Sequence, residues 1–219
     1  MSIIDILLHI AAAVLGYVIG SVNAAVIITK YILKSDVRER GSKNAGAANV
    51  TRVFGPVAGG CTLLLDMAKV MFVMWLGGVM AGETGTATAA IACLTGHCFP
   101  IFFGFKGGKA VAICLGVMGV CNWPVMLLAL GIFLVFVLIT KIVSVGSIFA
   151  ALSLIILTPF FDMSMTAIFM PVDNNGSTLW VTLLSAVMAA IVILKHTDNI
   201  KRLIKGTEKP LTVKENKNV

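Results

Sequence analysis

Runs of roughly twenty apolar residues, parted by short polar loops, constrain this chain more than any single motif. A helix needs about 20 mostly apolar residues to cross about 30 Å of hydrocarbon, and backbone in lipid must satisfy its hydrogen bonds internally, which selects helices. About seven stretches meet that need: Ile3 to Ile28, Pro56 to Met80, Thr86 to Phe103, Ala110 to Asn122, Pro124 to Ile139, Val145 to Phe161 and Thr178 to Leu194. The composition agrees, at 58% hydrophobic and 12% charged residues, too apolar for a water-soluble domain of this length. The expected fold is all-α, a polytopic membrane protein of about seven transmembrane helices. Its fourth stretch is short and must tilt, thin the bilayer or be interrupted.

The basic residues orient that arrangement. Lys30, Lys34, Arg38, Arg40, Lys43 and Arg52 follow the first stretch, Lys106 and Lys109 the third, Lys141 the fifth, and the run from Lys195 to Lys217 the last. The alternate connections, around Glu83, around Asn122 and from Asp162 to Asp173, hold neither Lys nor Arg. Cytoplasmic loops retain Lys and Arg, so the N-terminus is expected outside and the C-terminus inside. No cleavable signal is expected, because Asp5 stands where a basic start belongs. The cysteines Cys61, Cys93, Cys98, Cys114 and Cys121 lack any C-x-x-C pair and read as small hydrophobes in helix contacts rather than disulfides or metal ligands.

Three polar islands fall on the inner side of this topology. The first, "RERGSKNAGAANVTRVFG" from Arg38 to Gly55, combines small residues that allow close backbone approach with Arg52, whose guanidinium fork suits a phosphate. The second, "GHCFPIFFGFKGGKAVA" from Gly96 to Ala112, sets Lys106, Gly107, Gly108 and Lys109 before an apolar helix, an arrangement for an anion. It is not a nucleotide loop, since Phe103 and Ala110 stand where a Walker sequence needs glycine and Ser/Thr. The third, "KHTDNIKRLIKGTE" from Lys195 to Glu208, places His196 and Asn199 on one helical face, with a histidine able to move a proton near neutral pH. Ser144 or Ser147 could face the same pocket. Asp66 and Lys69, three apart inside a span, are expected to pair structurally, because an isolated charge in lipid costs about 2.5 to 3.5 kcal/mol.

Together these islands resemble the bacterial acyl-phosphate:glycerol-3-phosphate acyltransferases, polytopic inner-membrane enzymes that begin phospholipid synthesis. "GSKNAGAANVTR" is similar to the family's G-S-G-N-P-G-A-T-N-V-x-R, the second island to G-H-x-F-P…F-K-G-G-K-G-V-A, and "HTDNIKRLIKGTE" to H-x-x-N-I-x-R-L-x-x-G-x-E. The likeness runs from "GYVIGSVNAAVIITK" to Glu208. It implies one transmembrane acyltransferase domain over 1–208, a basic and disordered tail over 209–219, and transfer of a fatty acyl group from acyl phosphate to the sn-1 hydroxyl of glycerol 3-phosphate.

Carried over by position, the resemblance implies that Ser42, Arg52, Lys109, His196 and Asn199 are catalytic. It further implies that Gly41, Asn44, Gly46, Asn49, Lys106, Gly107, Gly108 and Ser147 bind substrate, and that Glu208 is structural. No cofactor, metal or nucleic acid is implied, and the active site faces the cytoplasm. The base for the attacking hydroxyl is either His196 or a substrate phosphate. No histidine here starts the H-x-x-x-x-D of thioester-dependent acyltransferases, which favours acyl phosphate as donor. Lys43, Ala45, Ala48 and Ala110 stand where the family pattern has Gly, Pro, Thr and Gly, which leaves another polyol phosphate acceptor as an alternative. A transporter of a phosphorylated metabolite is the competing class, though transporters place their sites near midplane, often between inverted repeats.

Overall fold

The computed structural model describes residues 2–161 and 178–211, and these form helices joined by short turns with no strand among them. The expected outer loop from Asp162 to Asp173, and the tail beyond residue 211, lie outside the described residues. The chain divides into two compact units, one closing at Ile113 and the other running from Cys114 to Pro210.

In the first unit α1 (Ile3–Gly20) opens on a reciprocal capping box between Ser2 and Asp5, which satisfies two otherwise orphan amides. It ends sooner than hydropathy suggests. Asn23 turns its side chain onto the backbone, accepting the Val26 N–H at 3.0 Å, and thereby starts α2 (Ala24–Val26), which runs into a π turn over Ile27–Ile32. The expected first span is therefore interrupted at residues 21–23, because a short polar side chain competes for backbone groups in a way hydropathy averages away. After a loop come α3 (Ala47–Phe54) and α4 (Pro56–Cys98).

Taken as one helix, the 43 residues of α4 would extend about 65 Å, twice the hydrocarbon thickness. Ala81 and Gly82 leave helical geometry (φ −146° and +63°), and the two halves fold back antiparallel. Gly77 faces Gly85, and the Thr86 hydroxyl donates to the Met74 carbonyl at 3.4 Å. α1 lies along the second half on a seam of small residues. A Cβ at Gly16 would stand 2.8 Å from the Ala89 carbonyl oxygen, and one at Gly20 would overlap the Cys93 backbone. Such seams hold membrane helices by close packing, because lipid supplies no hydrophobic force between them.

α5 (Val111–Cys121) leads into the second unit, which holds α6 (Trp123–Thr140), α7 (Val143–Leu157), α8 (Thr178–Lys195) and α9 (Thr197–Ile204). The buried Asn122 caps α6 by accepting the Val125 N–H at 3.2 Å and donates to the Phe161 carbonyl at 3.3 Å. Phe136 and Phe149 stack at 3.9 Å between α6 and α7, and the Thr158 and Ser185 hydroxyls meet at 3.1 Å between α7 and α8. The five cysteines are free thiols, four buried and Cys61 exposed.

Among the described residues, four helical runs are long and apolar enough to cross a membrane: Ile3–Ile32, Pro56–Phe103, Trp123–Thr140 and Val143–Phe160. A fifth follows if Leu179–Lys195 and Thr197–Ile204, bent by 57°, count together. The difference from about seven has two sources. The Pro56–Phe103 run contains two expected segments in its two halves, and α5, with about 16 Å of rise, is too short to span alone.

Candidate active site

The first polar island is shaped by one buried side chain. Asn49, 1% exposed on α3, donates through Nδ2 to the carbonyls of Val37 (3.1 Å), Arg40 (3.0 Å) and Asn44 (3.1 Å). Its Oδ1 accepts the Ser42 N–H at 2.8 Å. Its amide hydrogens are thus committed to the loop, so Asn49 fixes where Ser42 stands rather than reaching outward. Ser42 is exposed, and Arg52 is half-buried in the last turn of α3.

The second island meets the first within this unit. Arg38 pairs with Asp36 at 2.7 Å and donates to the Phe103 carbonyl at 3.1 Å, with its guanidinium 5.7 Å from the Phe103 ring centroid. The hydrogen bonds from Arg38 hold the Asp36 carboxyl below its ordinary range. Asn23 Nδ2 donates to the Ala45 carbonyl at 3.3 Å, and a Cβ on Gly108 would stand 3.1 Å from that same oxygen. Gly107 and Gly108 lie against the last turn of α4. The Gly108 N–H donates to the His97 carbonyl at 3.1 Å, which commits one of the two glycine amides expected to face an anion.

The departures from the family pattern now acquire a physical meaning. Lys43 has φ +60° and Ala110 φ +62°, the left-handed region that costs a non-glycine residue about 1 to 2 kcal/mol. Both are positions where the family pattern has glycine. Ala110→Gly is expected to raise the thermal midpoint of the purified protein by about 2–4 °C, the equivalent of about 1 kcal/mol in a chain of this size. An unchanged or lower midpoint in a melting experiment would refute that account of Ala110.

In the second unit the third island forms its own polar cluster. His196, 3% exposed at the bend between α8 and α9, sets Nδ1 2.7 Å from the Val192 carbonyl oxygen. A carbonyl only accepts, so Nδ1 carries the proton and Nε2 of the neutral ring holds a lone pair. Glu208 gathers three partners: Ser144 Oγ donates at 2.8 Å and Asn199 Nδ2 at 2.5 Å to Oε1, and Arg202 Nε at 2.6 Å to Oε2. Ser147 turns its hydroxyl back to the Val143 carbonyl at 3.0 Å. Of the two serines considered, it is Ser144 that joins Glu208.

Burial works against ionisation of Glu208, but the hydrogen bonds from Arg202, Asn199 and Ser144 outweigh it and hold the carboxyl below its ordinary value. The stabilisation is therefore complete above the unfolded-state value of about 4.3 and is lost as pH falls through the lower folded-state value. The melting temperature should fall below about pH 4.3, and Glu208→Gln should flatten that acid limb. An identical limb in the variant would exclude Glu208 as its source.

Sequence reasoning passed over His97, Arg38, Asn23 and Arg202 as functional candidates. His97 and Arg202 stand inside the second and third motifs, which was the available signal. Arg38 and Asn23 gain their roles from contacts distant in sequence, with the Phe103 and Ala45 carbonyls.

With this geometry in place, comparisons with known proteins agree. Residues 10–206 match the family described as Glycerol-3-phosphate acyltransferase. A glycerol-3-phosphate acyltransferase of Thermoanaerobacter pseudethanolicus is 38% identical over 92% of this chain and 95% of its own length. One from Carboxydothermus hydrogenoformans is 34% identical over 94% and 98%. The crystal structure of PlsY (YgiH), an integral membrane glycerol 3-phosphate acyltransferase in its glycerol 3-phosphate form, superposes with a TM-score of 0.79 at 30% identity, covering 93% of this chain and 96% of that one.

Proposed function

This chain belongs to the glycerol-3-phosphate acyltransferase family of integral membrane enzymes, and from that premise we propose that acyl phosphate is its donor and 1-acylglycerol 3-phosphate its product. The glycerol sn-1 oxygen attacks the acyl carbonyl carbon and gives up its proton to the base, the new C–O bond forms, the bond between the acyl carbon and the bridging oxygen breaks, and that oxygen leaves with the phosphorus as inorganic phosphate. A solved relative is described in a lysophosphatidic acid form, which supports this product. The donor assignment is supported by the absence of H-x-x-x-x-D from the sequence.

The observation that carries the reading is the meeting of the first two islands, where Asn23 and Gly108 both lie against Ala45. Glycerol 3-phosphate, acyl phosphate and the leaving phosphate are all anions. Lys109 and Arg52 neutralise them, Ser42 is presented by Asn49, and Gly41, Asn44, Gly46, Lys106, Gly107 and Gly108 shape the surrounding backbone and its charge. His196 is assigned the hydroxyl proton from the likeness of its motif, and the Val192 carbonyl against Nδ1 fixes the tautomer in which Nε2 is the basic nitrogen. Asn199 acts beside it and Ser147 binds substrate, as their positions in the family pattern imply, while Glu208 orders this part of the second unit through Ser144, Asn199 and Arg202. The chain crosses the bacterial inner membrane as about seven segments, the short α5 crossing only where the bilayer thins around it, N-terminus outside, with the chemistry at the cytoplasmic face, as the distribution of Lys and Arg supports.

Purified enzyme supplied with acyl phosphate and glycerol 3-phosphate should release phosphate and lysophosphatidate in equal amounts. Turnover with acyl-CoA but not acyl phosphate would overturn the donor assignment, and glycerol phosphate flux into liposomes without turnover would favour a transporter. His196→Gln is expected to cut kcat by about 10² to 10⁴, the range of general base catalysis. A rate within a few-fold of wild type would move the base role to a substrate phosphate.

A further inference from the structure

The charged pair inside α4 is not self-contained. Lys69 has three ammonium hydrogens, and three acceptors surround it: Asp66 Oδ1 at 2.7 Å, the Val22 carbonyl at 2.9 Å and His97 Nδ1 at 3.1 Å. The Val22 contact sets the pair against the turn that follows α1. Asp66 and His97 are 1% and 2% exposed.

An ammonium only donates, so His97 Nδ1 must accept, and the neutral ring then carries its proton on Nε2. A protonated ring would turn an N–H against the ammonium, and the Asp66 carboxylate, 3.6 Å from Nδ1, is too distant for a hydrogen bond. His97 and His196 are thus held in opposite tautomers. On its other edge the ring meets the glycines: a Cβ on Gly108 would overlap Nε2 and stand 2.9 Å from Cε1. The His97 carbonyl accepts the Gly108 N–H at 3.1 Å, and a Cβ on Gly107 would overlap that carbonyl.

We propose that Asp66, Lys69 and His97 form a positioning relay for the glycine cradle, in which the partly buried ammonium locks the His97 ring and His97 sets the Gly107–Gly108 backbone that receives the acceptor's phosphate. The inference rests on the cradle being the glycerol 3-phosphate site. It gives the ion pair a role that a structural pair alone would not need, since two opposite charges neutralise each other without a histidine.

The test uses full-length enzyme in detergent. Lys69→Met removes the donor to His97, and Asp66→Leu/Lys69→Met removes both charges together, so that neither is left buried alone if the single variant fails to fold. Each is expected to raise the KM for glycerol 3-phosphate, and its Kd measured calorimetrically without donor, at least tenfold, with the acyl phosphate KM within twofold of wild type. His97→Gln, whose amide reaches the Nε2 position, should keep more affinity than His97→Asn. Nitrogen NMR of labelled histidine should show a single Nε2–H ring for His97 in wild type, and a tautomer mixture after Lys69→Met. Unchanged glycerol 3-phosphate affinity in both lysine variants, or parallel loss for both substrates, would overturn the relay. Wild-type turnover in the same preparations tests the function itself, separately from these ratios.

Discussion

Gly108→Ala is expected to raise the KM for glycerol 3-phosphate by about 10²-fold, the scale of a 1 Å misplacement at a reacting site, with a smaller loss in kcat. The added methyl overlaps the His97 ring and stands 3.1 Å from the Ala45 carbonyl, so the backbone of the cradle or of the first loop must move. The ring cannot retreat, being buried and held by Lys69 at 3.1 Å. Gly119→Ala is the matched control, since its Cβ meets nothing within 4 Å, and its kinetics should equal wild type. A Gly108→Ala enzyme with unchanged KM and reduced kcat would show that the glycine serves the transfer step instead of acceptor binding.

Arg52→Ala should lower kcat/KM by about 10³-fold or more, equivalent to about 4 kcal/mol of lost stabilisation. Charge concentrates on the departing phosphate as the acyl–oxygen bond breaks, and a guanidinium fork placed in advance meets it without reorganisation. Arg52→Lys restores the charge but not the planar pair of donors, and should recover about tenfold of that loss. Equal activity of the lysine variant and wild type would reduce Arg52 to a source of positive field, and near-normal activity of the alanine variant would remove it from the site.

Much of this site was legible before any contact was known, for a reason visible in the residues. Lys106 to Lys109 and "GSKNAGAANVTR" are local patterns, and the loops they specify close within a few residues. Asn49 could be named a candidate but not a clamp, because its four hydrogen bonds run to backbone groups whose positions depend on the loop's path. Ser144 and Ser147 could not be ranked, because both are small hydroxyl residues on one short helix. What separates them is Glu208, 64 positions from Ser144.

By itself the sequence determined the all-helical class, the segments available to lipid and the chemistry of the polar islands, since apolar length and charge placement are properties of each stretch alone. Tertiary structure decided the rest. It interrupted the first helix at Asn23, folded α4 back on itself at Gly82, and put left-handed backbone under Lys43 and Ala110. It also carried Lys69 to a histidine 28 positions away. Each outcome depends on a partner remote in the chain or on a backbone angle, and a partly buried ammonium with three hydrogens to satisfy can be matched to its acceptors only once the helices stand side by side.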